Sequence, residues 1–372
     1  MKTKLEIASK LLAVAALLYL FLVSIGLMGA AFKGFGKGFA ENLIRTTSNP
    51  FVGLFVGILA TSLVQSSSTT TSVVVGIVGA GGLTVGSAIP IIMGANIGTT
   101  VTNTLVSLGH VSRRDEFRRA ISAATVHDFF NLICVSILFP LELATGYLEK
   151  TATFMSAVFK GVGGIKFVSP IKLATQPAVA LIHKTTLALA GSKLAAYIFM
   201  GVLSLVLLFF ALFLIVKVMK SLVVNRAEII LDNVISKSPI LGLLAGLAFT
   251  VIVQSSSITT SLLIPLVAAG ILTVEAAFPI TVGANIGTTT TAVLASFATG
   301  NVSAIIIAFA HLVFNLTGTV FIYPIRFFRM VPINLAKAFG DLAATKRRYA
   351  IMYVLGVFFF VPTLLIIVSK LF

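Results

Sequence analysis

The sequence predicts an all-α polytopic membrane protein in which two inverted repeats each carry a re-entrant helical hairpin and a broken transmembrane helix. Composition carries the membrane assignment: 58% of the 372 residues are hydrophobic and 10% charged, with a mean hydropathy of +1.09, far too apolar for a soluble domain. A duplication carries the repeats. Gln65-Ser66-Ser67-Ser68 returns as Gln254-Ser255-Ser256-Ser257, 189 positions on (254 − 65). The same offset takes Pro90 to Pro279, and Gly94-Ala95-Asn96-Ile97-Gly98-Thr99-Thr100 to Gly283-Ala284-Asn285-Ile286-Gly287-Thr288-Thr289. Charge carries the orientation. The formal charge of +16 gathers in short clusters between apolar runs, where the positive-inside rule places cytoplasmic loops. Basicity here reflects topology, and no nucleic-acid partner is expected.

Taken in order, Lys2, Lys4 and Lys10 precede an apolar helix at 11–31 that is too long for a signal peptide and spans with its N-terminus in the cytoplasm. Residues 32–49 mix Gly, Lys and Phe and read as interfacial. The segment 50–82 is apolar but broken midway by Gln-Ser-Ser-Ser. Each arm is too short to span, which predicts a re-entrant hairpin with the motif at its tip. The helix at 84–109 is long enough to span but is interrupted by Pro90 and the Gly94 to Thr100 segment. Opened backbone at membrane depth is tolerated where it lines a cavity or holds a ligand. Gly94 and Gly98 also have the spacing of small-residue helix packing, but duplication of the whole heptapeptide favours a site.

His110 to Arg119 reads as a cytoplasmic arginine-rich loop, and helix 120–141 follows. It contains His127-Asp128-Phe129-Phe130-Asn131, matched by His311-Leu312-Val313-Phe314-Asn315 at an offset of 184. Histidine and asparagine four apart share one helix face, and an interhelical hydrogen bond supporting the broken helix is their expected role. Residues 143–192 read as a connector at the outer surface, closing a first repeat at 1–142. The second repeat, 193–324, holds helix 193–220, a basic stretch from Ser221 to Lys237, hairpin 239–270, broken helix 273–298 and helix 303–324. Residues 325–372 supply a basic segment and a C-terminal transmembrane helix. Each half crosses an odd number of times, so the second inserts upside down, an arrangement shared by many secondary transporters. The single cysteine, Cys134, forms no internal disulfide.

Hydroxyls and amides both donate and accept, so such tips can hold an anion by donors and a small hard cation by oxygens. No lysine or arginine lies in either hairpin or broken helix. An anion buried there needs cations bound alongside, which points to ion-coupled anion transport. The rival class is a membrane enzyme with a serine nucleophile, for which His127 or His311 would have to act as base. A duplicated motif suits a binding site better, so neither an enzyme nor an organic cofactor is expected.

The Gln-Ser-Ser-Ser runs, the segment Pro90 to Thr104, and Phe117-Arg118-Arg119-Ala120 through Ala124-Thr125-Val126-His127-Asp128 resemble the type II sodium/phosphate cotransporters. The resemblance covers Pro50 to Glu142 and Pro239 to Pro324 and is specific. It implies that Ser66, Ser67, Ser68, Ser255, Ser256 and Ser257 hold inorganic phosphate between the tips. It also implies a sodium site of Gln254, Ser255, Thr288 and Thr291, with Gln65, Ser66, Asn96, Thr99 and Asn285 as candidates for further sodium. Ala284 stands where animal members place serine, so a side-chain oxygen is lost. The implied setting is the lipid bilayer of the cell (inner) membrane, without the family's large disulfide-linked loop or the regulatory C-terminal domain of some bacterial relatives. A carrier of sulfate or a dicarboxylate is the alternative within this architecture.

Overall fold

The computed structural model describes residues 4–162, 170–235 and 238–369. Lys2, residues 163–169 of the expected connector, Lys237 of the second basic stretch and residues 370–372 lie outside the described residues. All regular structure among the described residues is helical. Helix α1 (Lys4–Gly34) and the short α2 (Lys37–Thr46) lead into hairpin α3 (Pro50–Val64) and α4 (Ser67–Ala80). The pair α5 (Val85–Gly98) and α6 (Val101–Ser107) follows, then α7 (Arg114–Thr145), α8 (Tyr147–Val162) and α9 (Pro170–Leu189). The chain continues with α10 (Lys193–Ile235), hairpin α11 (Pro239–Val253) and α12 (Ser256–Ala268), and the pair α13 (Val274–Gly287) and α14 (Thr289–Thr299). Last come α15 (Val302–Ile322), α16 (Arg326–Thr345), α17 (Arg348–Leu355), a π-helical turn at Gly356–Phe360, and α18 (Val361–Val368). Among the described residues six helical stretches are long and apolar enough to cross a membrane: α1, α5 with α6, α7, α10, α15, and α17 through α18.

Local chemistry punctuates both halves alike. Asn49 caps α3 by accepting from Phe51 N, and Ser238 caps α11 by accepting from Ile240 N, each followed by a proline in the first turn. Thr84 and Thr273 cap α5 and α13 through Ser87 N and Ala276 N. Pro90 and Pro279 sit inside those helices. There each removes one backbone hydrogen bond.

Glycines then decide the packing. A methyl on Gly57 would collide with the Ile91 carbonyl, and one on Gly94 with that of Leu54. In the second half Gly246 meets Ile280 and Gly283 meets Leu243 in the same way. Helices α3 and α5, and likewise α11 and α13, therefore run side by side with backbones in contact. Gly94, Gly98, Gly283 and Gly287 are packing residues. To that extent the heptapeptide is structural, because only glycine leaves room for a neighbouring carbonyl.

Three sequence expectations change. The arginine-rich loop is short: α7 begins at Arg114, where Asp115 and Glu116 in its first turn suit the positive helix end. Residues 143–192 are more than a connector, since α8 packs along α15 as α16 packs along α7. Both α8 and α16 are amphipathic helices whose apolar stripe acquires meaning only beside a partner. Finally, α1 and α10, which pack on each other, overrun the expected 11–31 and 193–220.

Side chains tie each hairpin to the opposite half. Asn301 Nδ2 donates to the Gly79 carbonyl at 2.9 Å, and Arg119 Nε donates to the Ala268 carbonyl at 2.8 Å. Gly79 and Ala268 are equivalent at the 189-residue offset.

Candidate functional site

Each hairpin turns on a glutamine in the left-handed region. Gln65 has φ 57° and Gln254 has φ 59°, and among the described residues no other non-glycine residue has positive φ. Glycine is the usual occupant of such a helix terminus, and a side chain there costs about 1 kcal/mol. The same backbone strain is kept at both tips. The next residue begins the return helix. Ser66 Oγ caps α4, accepting from Thr69 N at 3.2 Å and Thr69 Oγ1 at 2.9 Å. Ser255 makes no cap bond, and Ile258, where the first half has Thr69, brings no hydroxyl to it.

The two tips share one cavity of about 300 Å³. Gln65, Ser66, Ser68, Gln254, Ser255 and Ser257 line it, with Thr69, Thr102 and an apolar wall from α10 that includes Phe209 and Phe213. No charged side chain is in the lining. Thr291 stands behind the second tip: its hydroxyl donates to Gln254 Oε1 at 2.8 Å, while Gln254 Nε2 donates to the Val251 carbonyl at 2.6 Å. In the first half Thr102 Oγ1 reaches only the Gln65 backbone carbonyl, at 3.5 Å. The halves are alike in fold and unlike in polar detail.

Other residues singled out by sequence lie apart from this lining. Ser67 and Ser256 are buried, the first residues of α4 and α12, and their carbonyls accept from Thr71 Oγ1 at 2.8 Å and Thr260 Oγ1 at 2.9 Å. Thr99 and Thr288 donate to Ala95 and Ala284 carbonyls of their own helices, at 3.0 and 3.1 Å. Asn96 and Asn285 belong to a buried network where the helices break. Asn285 Nδ2 donates to Asn131 Oδ1 at 3.0 Å and Asn315 Oδ1 at 3.1 Å. Asn131 Nδ2 and Asn315 Nδ2 donate in turn to the Asn96 and Asn285 carbonyls, at 3.0 and 3.1 Å, and His311 Nε2 lies 3.3 Å from Asn96 Oδ1. Asn131, Asn315 and His311 thus support the broken helices, opened backbone finding its partners in amides, whereas His127 is buried with neither ring nitrogen in a hydrogen bond of normal geometry.

Sequence reasoning missed four features. Thr102 was recoverable, since it is Thr291 displaced by the repeat offset. The α10 wall carried no signal beyond hydrophobicity. Buried Asn103 accepts at Oδ1 from Thr260 Oγ1 at 2.9 Å and Ser261 Oγ at 3.2 Å, joining α6 to the second hairpin. Lastly, Asp128 is fully buried and lies beside the Thr100 and Tyr353 hydroxyls, yet neither carboxylate oxygen accepts a hydrogen bond of normal geometry. Its counterpart in the second half is Leu312. No cluster of three or more metal-ligating side chains forms among the described residues.

A helical membrane-spanning chain whose two hairpin tips meet at a polar, uncharged cavity has the build of a carrier. The chain belongs to the Na+/Pi-cotransporter family, whose model matches residues 20–167 and 207–337. It is 36% identical to sodium-dependent phosphate transport protein 2A of Rattus norvegicus, over 98% of this chain and 69% of that protein. Identity is 35% to protein 2B of Homo sapiens, over 95% of this chain and 64% of the relative, and 37% to protein 2A of Ovis aries, over 93% and 66%. The chain thus spans about two thirds of the length of these relatives. No solved structure matches. Members of the family are transporters, not enzymes.

Proposed function

We propose that this chain imports inorganic phosphate driven by sodium, with the anion held between the two hairpin tips near the membrane midplane. The observation that carries the proposal is the shared cavity, where Ser66, Ser68, Ser255 and Ser257 converge from both halves. The return helices α4 and α12 start at this cavity, so their first amides and the serine hydroxyls offer donors to an oxyanion. With no lysine or arginine in the lining, the charge is balanced by cations bound alongside. Gln254 Oε1, the uncapped Ser255 hydroxyl and Thr291 supply oxygens for one sodium, and Thr288 lies one turn away on the same segment. Asp128 offers the buried carboxylate that a further cation would neutralise.

The paired contacts Asn301 to Gly79 and Arg119 to Ala268 support inverted halves, since each hairpin base is held by the turn or helix start that the other half places at that end. Uptake of radiolabelled phosphate into proteoliposomes, with and without an inward sodium gradient, tests the proposal. Uptake that ignores sodium, or that sulfate or succinate suppresses as well as phosphate does, would sink it.

A further inference from the structure

Helices α1 and α10 pack on each other, and one stripe of each is buried alike. With Lys33 set over Lys217, an offset of 184 (217 − 33), Ser24, Leu27 and Ala31 of α1 fall on Leu208, Ala211 and Ile215 of α10, and all six are fully buried. The neighbouring stripe differs. Phe21, Ile25 and Met28 are 1%, 0% and 1% exposed, where α1 lies on α4 and α14. A methyl on Gly76 of α4 would come within 2.8 Å of Met28 Sδ and 4.0 Å of Ile25 Cδ1. Their counterparts on α10 are Leu205, Phe209 and Leu212. Leu205 and Phe209 are 39% and 40% exposed, because α10 packs on α11 and leaves open the place that α1 fills in the other half. The room left is the tip cavity: Phe209, Leu212, Phe213 and Val216, one face of α10, look across it at Gln254, Ser255, Ser257 and Ile258.

Phe209 therefore faces hydroxyls and amides, while the equivalent Ile25 is packed against a neighbouring helix. Packed interfaces switch between discrete alternatives and do not deform continuously. We infer that α10 is the gate of the tip cavity: its Leu205, Phe209 and Leu212 stripe closes onto α12 around Pro265, the equivalent of Gly76 (265 − 189 = 76), while Phe21, Ile25 and Met28 leave α4. One apolar stripe is covered as the other is uncovered, so burial alone favours neither packing. Phenylalanine suits the role, since an apolar constriction closes by expelling water. In this structure α1 seals the α4 and α14 side, and the α12 side is open. That the open side is cytoplasmic rests on the inverted transport reading above, whereas the exchange of packings does not.

The test uses the full-length, Cys134-free protein in proteoliposomes with two cysteine pairs and a short thiol cross-linker that reductant cleaves. Met28→Cys with Gly76→Cys joins α1 to α4 as they stand, and Leu212→Cys with Pro265→Cys joins α10 to α12 in the closed arrangement. Both pairs should cross-link. Each link should abolish sodium-driven phosphate uptake, and reductant should restore it. The chain has no tryptophan, so Phe209→Trp adds a reading that needs only one conservative change. Acrylamide should quench its fluorescence in sodium-free buffer, and quenching should fall when sodium and phosphate are added together. A Leu212 and Pro265 pair that never links, combined with quenching that ignores sodium and phosphate, overturns the gate. So does uptake that persists across a completed Met28 to Gly76 link. Absence of sodium-driven uptake by the parent would instead refute the transport proposal, and formation of the two links would still report the exchange of packings.

Discussion

At the scale of single residues, the two glutamines show how strain and function coincide. Gln254→Gly relieves the left-handed backbone and should stabilise the protein by about 1 kcal/mol, yet it removes the partner of Thr291. Thermal unfolding should hold or rise while sodium-dependent uptake falls; a variant that unfolds more easily would show that Gln254 is structural. Thr291→Val keeps the shape and removes the oxygen. Apparent sodium affinity should drop by roughly tenfold or more, with a smaller change in phosphate affinity at saturating sodium, and an unaltered sodium dependence would take Thr291 out of the site. Ser68 and Ser257 face the cavity from opposite halves. Ser68→Ala and Ser257→Ala should each weaken phosphate binding by roughly one to two decades, and the double variant should fall short of their sum because both donors address one ligand. Ser67 and Ser256, outside the lining, should tolerate alanine better; equal losses at all four positions in a binding assay would refute that distinction.

At the scale of elements, the parallel pairs α3 with α5 and α11 with α13 pack with their backbones in contact. Gly57→Ala or Gly246→Ala would push a methyl into the carbonyl of Ile91 or Ile280. Overpacking costs typically about 1–3 kcal/mol, and a backbone obstacle cannot turn aside as a side chain can. Either variant should give less folded protein and a lower unfolding temperature, as read by size exclusion and thermal melts in detergent. Parent-like stability would mean that the helices can separate freely. The broken helices follow the same economy. Their opened backbone is met by Asn131 and Asn315, which leaves the hydroxyl-rich tips to face the cavity.

At the scale of the whole molecule, the halves interlock. Helix α7 packs on α16 and α15 on α8, while each hairpin base is bonded to the other half. An inverted arrangement places the Arg113 turn and the Gly300 turn on opposite faces. In a Cys134-free variant, a cysteine at Ser112 should therefore label with an impermeant reagent from the cytoplasmic side and one at Gly300 from outside. Labelling of both from one side would refute inversion.

Much of this was legible in the chain itself. Hydropathy is a local sum, so the apolar helices could be read directly; a duplicated polar motif within them stands out wherever it occurs, and the glutamine tips follow from arms too short to span. The sequence also offered both meanings of Gly94 and Gly98, and Gly-x-x-x-Gly spacing alone could not choose between them. Tertiary structure chose, because whether a glycine faces a ligand or a carbonyl depends on the helix beside it. The same holds for α8 and α16, whose stripes matter only once α15 and α7 are in place, and for Thr102, Asn103 and the α10 wall. Asp128 makes the point most sharply. Burial and convergence are properties of distance in space, and no periodicity along the chain encodes them.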